Sequence, residues 1–244
     1  MQNKLNLNKL KSEFDKFPNL PKGLFDYIAK VVALNKQNDK FLTALIRHGT
    51  ESVLTALDIL IERASNVLNV HSSEIIRISD FDSNDVGTGR IDAFIAELRV
   101  INWLNDIKFK NISFLIAKRI KMADIYAEYD SDKYIIEVFC AISGSYRWPG
   151  HKNKSKDLIS YYISRANEKK NQLDHTALKF NCNKKIIVLV LDSDIAVALN
   201  TRSDFLEILK RIYDILGWGD KYYFAIMTGR TSFNGSDDVI YPEL

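Results

Sequence analysis

A chain of 244 residues with 46% hydrophobic and 27% charged side chains has the balance of an ordinary globular protein, long enough for one large domain or for a core with a smaller companion. That composition excludes an intrinsically disordered chain, and a net charge of +3 is too small by itself to demand a polyanionic partner. Cys140 and Cys182 are too few for a disulfide framework, and neither they nor the histidines at 48, 71, 151 and 175 stand at zinc spacing. The longest apolar runs, such as residues 184–191, are too short to cross a bilayer as helices, and residues 1–6 lack the apolar stretch of a secretory signal. The expected location is therefore cytoplasmic, with no membrane partner.

Residues 1–78 predict an all-helical region. Leu24, Ile28, Val31 and Val32, then Leu54, Leu57, Leu60, Ile61 and Ala64, recur at helical spacing. Pro18 and Pro21 break the chain early, and Gly49-Thr50-Glu51 reads as a turn followed by a helix start. The apolar stripe serves intramolecular packing or, as a further reading, an oligomer or partner-protein contact through these helices. Residues 79–89, rich in aspartate, serine and glycine, predict a connecting loop. Within it Gly87-Thr88-Gly89 matches neither a Walker A loop nor a full dinucleotide fingerprint.

From residue 90 to 244 the pattern alternates. The spacing predicts a helix over 90–107, strands over 112–117, 123–129 and 133–140, a helix over 154–173, a strand over 185–191, a helix over 204–216 and a strand over 222–227. This α-β-β-β-α-β order with an added α-β implies an α/β fold: an antiparallel meander, a helical crossover and a mixed sheet with helices on both faces. The third strand, Tyr134 to Phe139, is apolar on both faces apart from Glu137, which places it centrally in the sheet.

Glu137 is the most informative residue. A carboxylate in a doubly buried strand costs several kcal/mol unless a metal ion, a lysine or a proton compensates, and a structural ion pair is the plain alternative. Asp124 opens the preceding strand. With Ser131-Asp132 as a two-residue loop, Tyr126 would oppose Glu137 and Asp124 would be its diagonal neighbour on the same face, roughly 5–8 Å away; a three-residue loop would put the two acids on opposite faces. On a helical wheel Glu97 lies with Ala93, Val100 and Leu104, in the apolar stripe or at its edge. Three such oxygen ligands would suit Mg²⁺ or Mn²⁺, which activate water for phosphodiester hydrolysis.

The basic charge gathers between Arg147 and Lys170, as a solvated face or as a polyanion-binding surface. In the loop 143–152, Arg147 and Lys152 could grip phosphates while Trp148 stacks on bases or packs as a Trp-Pro corner.

The element order over residues 90–227, with acids at Glu97, Asp124 and Glu137, resembles the core of the PD-(D/E)XK nuclease superfamily, a restriction endonuclease-like fold. The resemblance implies that Asp124 and Glu137 bind the metal with Glu97 as a third acid, and that the substrate is a nucleic acid, expected to be DNA, in defence, restriction or repair. Ala123 replaces the motif proline and Phe139 replaces the motif lysine. A phenylalanine has no charge and no donor for the attacking water or the transition state. The lysine's role would then pass to another element. Lys170, inside the inward stripe of Ile159, Tyr162, Ala166 and Leu173, is the preferred substitute, or is a lysine snorkelling at a helix flank. Lys169 at the stripe's edge is assigned to nucleic-acid contact with Arg147, Trp148 and Lys152, and Lys121 and Lys152 are further substitutes. The alternative is a catalytically inactive nuclease-like module that binds nucleic acid or serves in an assembly.

Overall fold

The computed structural model describes residues 6–34, 40–79, 81–87, 89–116, 121–141, 154–191, 202–229 and 238–244. The chain divides into two compact units, residues 1–102 and 103–244. The loop 79–89, where the composition changes, falls inside the first of them.

The first unit is helical. Helices α1 (Leu7–Phe14), α2 (Lys22–Ala33), α3 (Lys40–His48), α4 (Thr50–Leu68) and the short α5 (Ile75–Ile78) precede α6 (Arg90–Asp106), which runs across the division between the units. Of the apolar stripe read from the sequence, Leu24, Ile28, Val31, Leu54, Leu57, Leu60, Ile61 and Ala64 are buried and Val32 is half-buried. Polar side chains fix the ends and connections. The Asn6 side chain accepts from the backbone N–H groups of Asn8 and Lys9 and caps α1. Asn69 closes α4 in the left-handed region at φ 53°. Asp58 on α4 accepts from the backbone N of Asn19 at 2.9 Å and from its side-chain amide at 3.1 Å, which holds the link between α1 and α2.

The second unit is a mixed sheet. Its elements are β1 (Lys110–Phe114), β2 (Ile125–Tyr129), β3 (Asp132–Ala141), α7 (Lys154–Phe180), β4 (Lys184–Leu191), α8 (Arg202–Leu216), β5 (Tyr222–Thr228) and β6 (Val239–Tyr241). The six strands follow one another in the sheet in chain order. The pairs β3–β4 and β4–β5 are parallel, and β1–β2, β2–β3 and β5–β6 are antiparallel. The chain is thus α/β with the predicted element order. Strand β6 is an addition, since three residues are too short a run to carry a period.

Both parallel crossovers step the same way along the sheet, and the near-universal right hand of such connections puts both helices on one side. Helix α7 packs on β3 and β4, and α8 packs on β5, β6 and α7. The core between them joins Leu158, Tyr162, Ala166, Leu173, Phe205 and Ile212 to Ile135, Phe139, Ile187, Leu189 and Phe224. The other face of the sheet is buried as well, at Ile136, Ile186, Val188 and Met227. Strands buried on both faces read as near-continuous apolar runs, which is how residues 184–191 read.

The turn between β2 and β3 corrects the expected register. Tyr129 pairs with Asp132, so the two-residue loop is Asp130-Ser131, one position earlier than Ser131-Asp132. Asp130 takes a φ of 52°, a left-handed conformation that aspartate tolerates better than serine. The pairing therefore moves by two residues. Tyr126 opposes Ile135, and Ile125 opposes Ile136. A two-residue shift leaves every side chain on its own face, and it brings Asp124, one residue beyond the last regular pair, close to Glu137.

Candidate functional site

Glu137 sits mid-way along β3, with a side chain only 1% exposed. It faces α7, on the same side of the sheet as Ile135 and Phe139. Stripped of water, its carboxylate needs partners, and α7 supplies two of them. The Lys169 ammonium forms an ion pair with Oε1, and the Gln172 side-chain amide donates to Oε2 at 3.0 Å.

Asp124 lies one residue beyond the last regular pair of β2 and β3. Its backbone N donates to Ile136 O at 3.1 Å, and its Oδ2 accepts from the backbone N of Val138 at 2.7 Å. The side chain thus takes up a ladder donor of β3 that β2 no longer meets. It also sets a second negative charge beside Glu137. Burial, and then the Asp124 charge, push the Glu137 carboxyl up to about 8, against the opposing pull of Lys169 and Arg165.

The helix also anchors the approach to β2. The Gln172 amide that reaches Glu137 donates to Met122 O at 2.6 Å. The Thr176 hydroxyl donates to Gln172 O at 2.7 Å and accepts from Ala123 N at 3.2 Å. Gln172 and Thr176, one helical turn apart, therefore hold residues 122 and 123 and with them the start of the strand that carries Asp124. Ala123 is fully buried beneath them.

Lys170 goes elsewhere. Successive helical residues point about 100° apart, so when Lys169 faces β3 its neighbour faces β5. The Lys170 ammonium pairs with Asp174 Oδ2 at 2.7 Å and lies 5.4 Å from the ring centroids of Trp218 and Tyr222. Asp174 also pairs through Oδ1 with Lys185 at 2.7 Å and accepts from the Tyr222 hydroxyl. The lysine that α7 delivers to Glu137 is Lys169, and the preference for Lys170 is corrected on that geometry. Phe139 is buried against the edges of Tyr161 and Tyr162.

Glu97 is half-buried on α6, in the first unit. Among the described residues, no three His, Cys, Asp or Glu side chains come together in a group that could hold a metal ion. Asp124 and Glu137 belong to the second unit. Lys121 is exposed. Arg147, Trp148 and Lys152, expected to touch nucleic acid, lie outside the described residues. Among the described residues, no helix is long and apolar enough to cross a membrane.

Arg165 and Thr176 carry no role in the sequence reading, although a signal for them exists. Arg165, Lys169, Gln172 and Thr176 fall at i, i+4, i+7 and i+11, one polar stripe along α7 beside the apolar one. Comparison with protein-family models, with curated proteins and with solved structures finds no match to this chain.

Proposed function

We propose that this chain is a divalent-metal-dependent nuclease that hydrolyses phosphodiester bonds, with DNA as its substrate, built on a restriction endonuclease-like core. One observation carries the reading. Two carboxylates, the half-buried Asp124 and the buried Glu137, lie close enough that the charge of the first raises the second, and a single helix delivers an ammonium and an amide to Glu137.

The pair fits a hard cation. The two carboxylates are close enough for the Asp124 charge to raise the Glu137 carboxyl, so their oxygens can be offered to one ion. Mg²⁺ is usually held by one or two carboxylates, with water and substrate phosphate completing its shell, so a third acid is not required. Asp124 and Glu137 would hold Mg²⁺ or Mn²⁺, and the ion would supply an activated water and charge neutralisation at the leaving oxygen. The chain's own groups do the rest. Lys169 offers the donor that Phe139 lacks, for the attacking water or for charge developing on the phosphate. Gln172 and Thr176 keep the Asp124 strand in register with Glu137.

A second reading, a nuclease-like module that binds nucleic acid without cutting it, is favoured by Phe139, which is committed to the core, and by the Asp124 oxygen already engaged at Val138 N. The two readings separate when the purified protein is incubated with single- and double-stranded DNA and RNA in Mg²⁺, Mn²⁺ or EDTA, beside Glu137→Ala. Cleavage that needs the cation and Glu137 is the expected result. Cleavage that survives both EDTA and the substitution removes the proposed site, and binding without cleavage in either metal selects the second reading.

A further inference from the structure

Phe139 removes a cation from the motif position but brings another one near it. The Arg165 guanidinium lies over the Phe139 ring, 5.9 Å from its centroid, and its charge acts on Glu137. Arg165 is one turn before Lys169 on the polar stripe of α7, so both cations lie on the side of the helix that meets β3, Lys169 at Glu137 and Arg165 at Phe139. Its side chain is 21% exposed. Its Nη1 end pairs with Glu168, whose side chain is 54% exposed, while its Nε is buried and has no hydrogen-bond partner among the described residues.

This arrangement differs from a surface ion pair. A buried N–H donor left unmet in a cationic group is costly and rarely retained unless something else accepts from it. The aromatic ring below the guanidinium limits how it can turn, and stacked arginine presents a planar fork that matches phosphate oxygens. Glu168, in contrast, is largely solvated and can yield its place to a stronger anion at little cost.

We infer that Arg165 is a phosphate-binding residue, held in orientation by Phe139, and that it receives a non-bridging oxygen of a nucleic-acid phosphodiester beside the Asp124–Glu137 pair. The inference rests on the nucleic-acid reading above but not on cleavage. Phe139 is on this account a positioning residue. The phenylalanine at the motif lysine position serves as the platform for a cation that arrives from α7.

The test measures binding of a fluorescent single-stranded and a duplex DNA oligonucleotide to the full chain in EDTA, by anisotropy, and cleavage of the same oligonucleotides in Mg²⁺. Arg165→Ala is expected to weaken binding about tenfold with little change in melting temperature, because its ion pair is with the largely solvated Glu168. Arg165→Lys, which keeps the charge and loses the fork, is expected to restore less than half of that loss on a logarithmic scale. Phe139→Leu keeps an apolar side chain in the core but removes the ring. It is expected to weaken binding about threefold in the Arg165 protein and not at all in the Arg165→Ala background, whereas a purely structural role would lower both alike. Binding by Arg165→Ala equal to wild type overturns the inference, as does a Phe139→Leu effect that persists without Arg165. Wild-type binding that depends on Arg165 without any cleavage sinks the nuclease reading and leaves this inference standing. Metal-dependent cleavage and binding untouched by Arg165→Ala do the reverse. No binding of either oligonucleotide by the wild type overturns both.

Discussion

Helix α7 places two charged clusters about 100° apart around its axis, and they are built on opposite principles. On the β5 side, Asp174 is met by two lysines and a tyrosine hydroxyl. Burial alone would raise its carboxyl, but the hydrogen bonds from Lys170, Lys185 and Tyr222 outweigh that and hold it at about 2. On the β3 side, burial and a second acid push Glu137 up to about 8 despite Lys169 and Arg165. One cluster satisfies its acid with surplus positive charge. The other sets a buried acid beside a half-buried one and leaves a donor of Arg165 unmet among the described residues. The first arrangement is that of a structural ion-pair network, and on the proposed function the second is completed by a ligand.

The largest expected effects test that contrast directly. Glu137→Ala and Asp124→Asn should each lower metal-dependent cleavage on the order of 10²–10³-fold in single-turnover assays, whereas Asp174→Asn should leave cleavage within about twofold. Equal losses at the two clusters would erase the distinction. Lys169→Ala should cost roughly 10²-fold in kcat with a smaller change in KM, and Lys170→Ala less than about twofold, although the two lysines are neighbours in the chain.

Stability should separate the clusters by the sign of its pH dependence. For Glu137 the folded value is raised from 4.5 to about 8, so its contribution is whole below pH 4.5 and is lost as the pH climbs to about 8. For Asp174 the folded value is lowered from 3.8 to about 2, so its contribution is present above pH 3.8 and is lost as the pH falls to about 2. Metal-free urea unfolding across pH 2–9 should show Glu137→Gln flattening the alkaline limb and Asp174→Asn flattening the acid limb. A Glu137→Gln profile that parallels wild type from pH 5 to 8 would show that the buried carboxyl is not raised.

The smallest effects concern stability at neutral pH. Asp174→Asn should cost about 1–2 kcal/mol, because a partly exposed network loses charge-assisted hydrogen bonds. Lys170→Ala should cost under about 1 kcal/mol, as the Lys185 and Tyr222 contacts to Asp174 remain.

Much of this was legible in the residues. Alternating apolar periods marked the strands and helices of the second unit in the right order, because 184–191 and 134–139 carry continuous β-branched or aromatic runs that helices do not need. Glu137 stood out for the same reason, as one charge in a run that otherwise excludes water. Strand β6 was not legible, since three residues give no period. Thr176 was hidden because α7 runs on to Phe180 past the helix expected to close at 173, and Arg165 was visible only as part of a basic segment.

The sequence by itself determined the α/β alternation, the burial of Glu137 and the presence of a polar stripe on the following helix. These are properties of local period and of the cost of dehydrating a charge, and both are written residue by residue. The tertiary structure decided which partners meet. Asp130 accepted a positive φ and set the register that put Asp124 close to Glu137. The rotation of α7 on the sheet sent Lys169 to β3 and Lys170 to Asp174. A helical wheel gives angles between residues of one helix, but only packing against the sheet fixes the zero of that angle. The charge of each cluster depends on that zero.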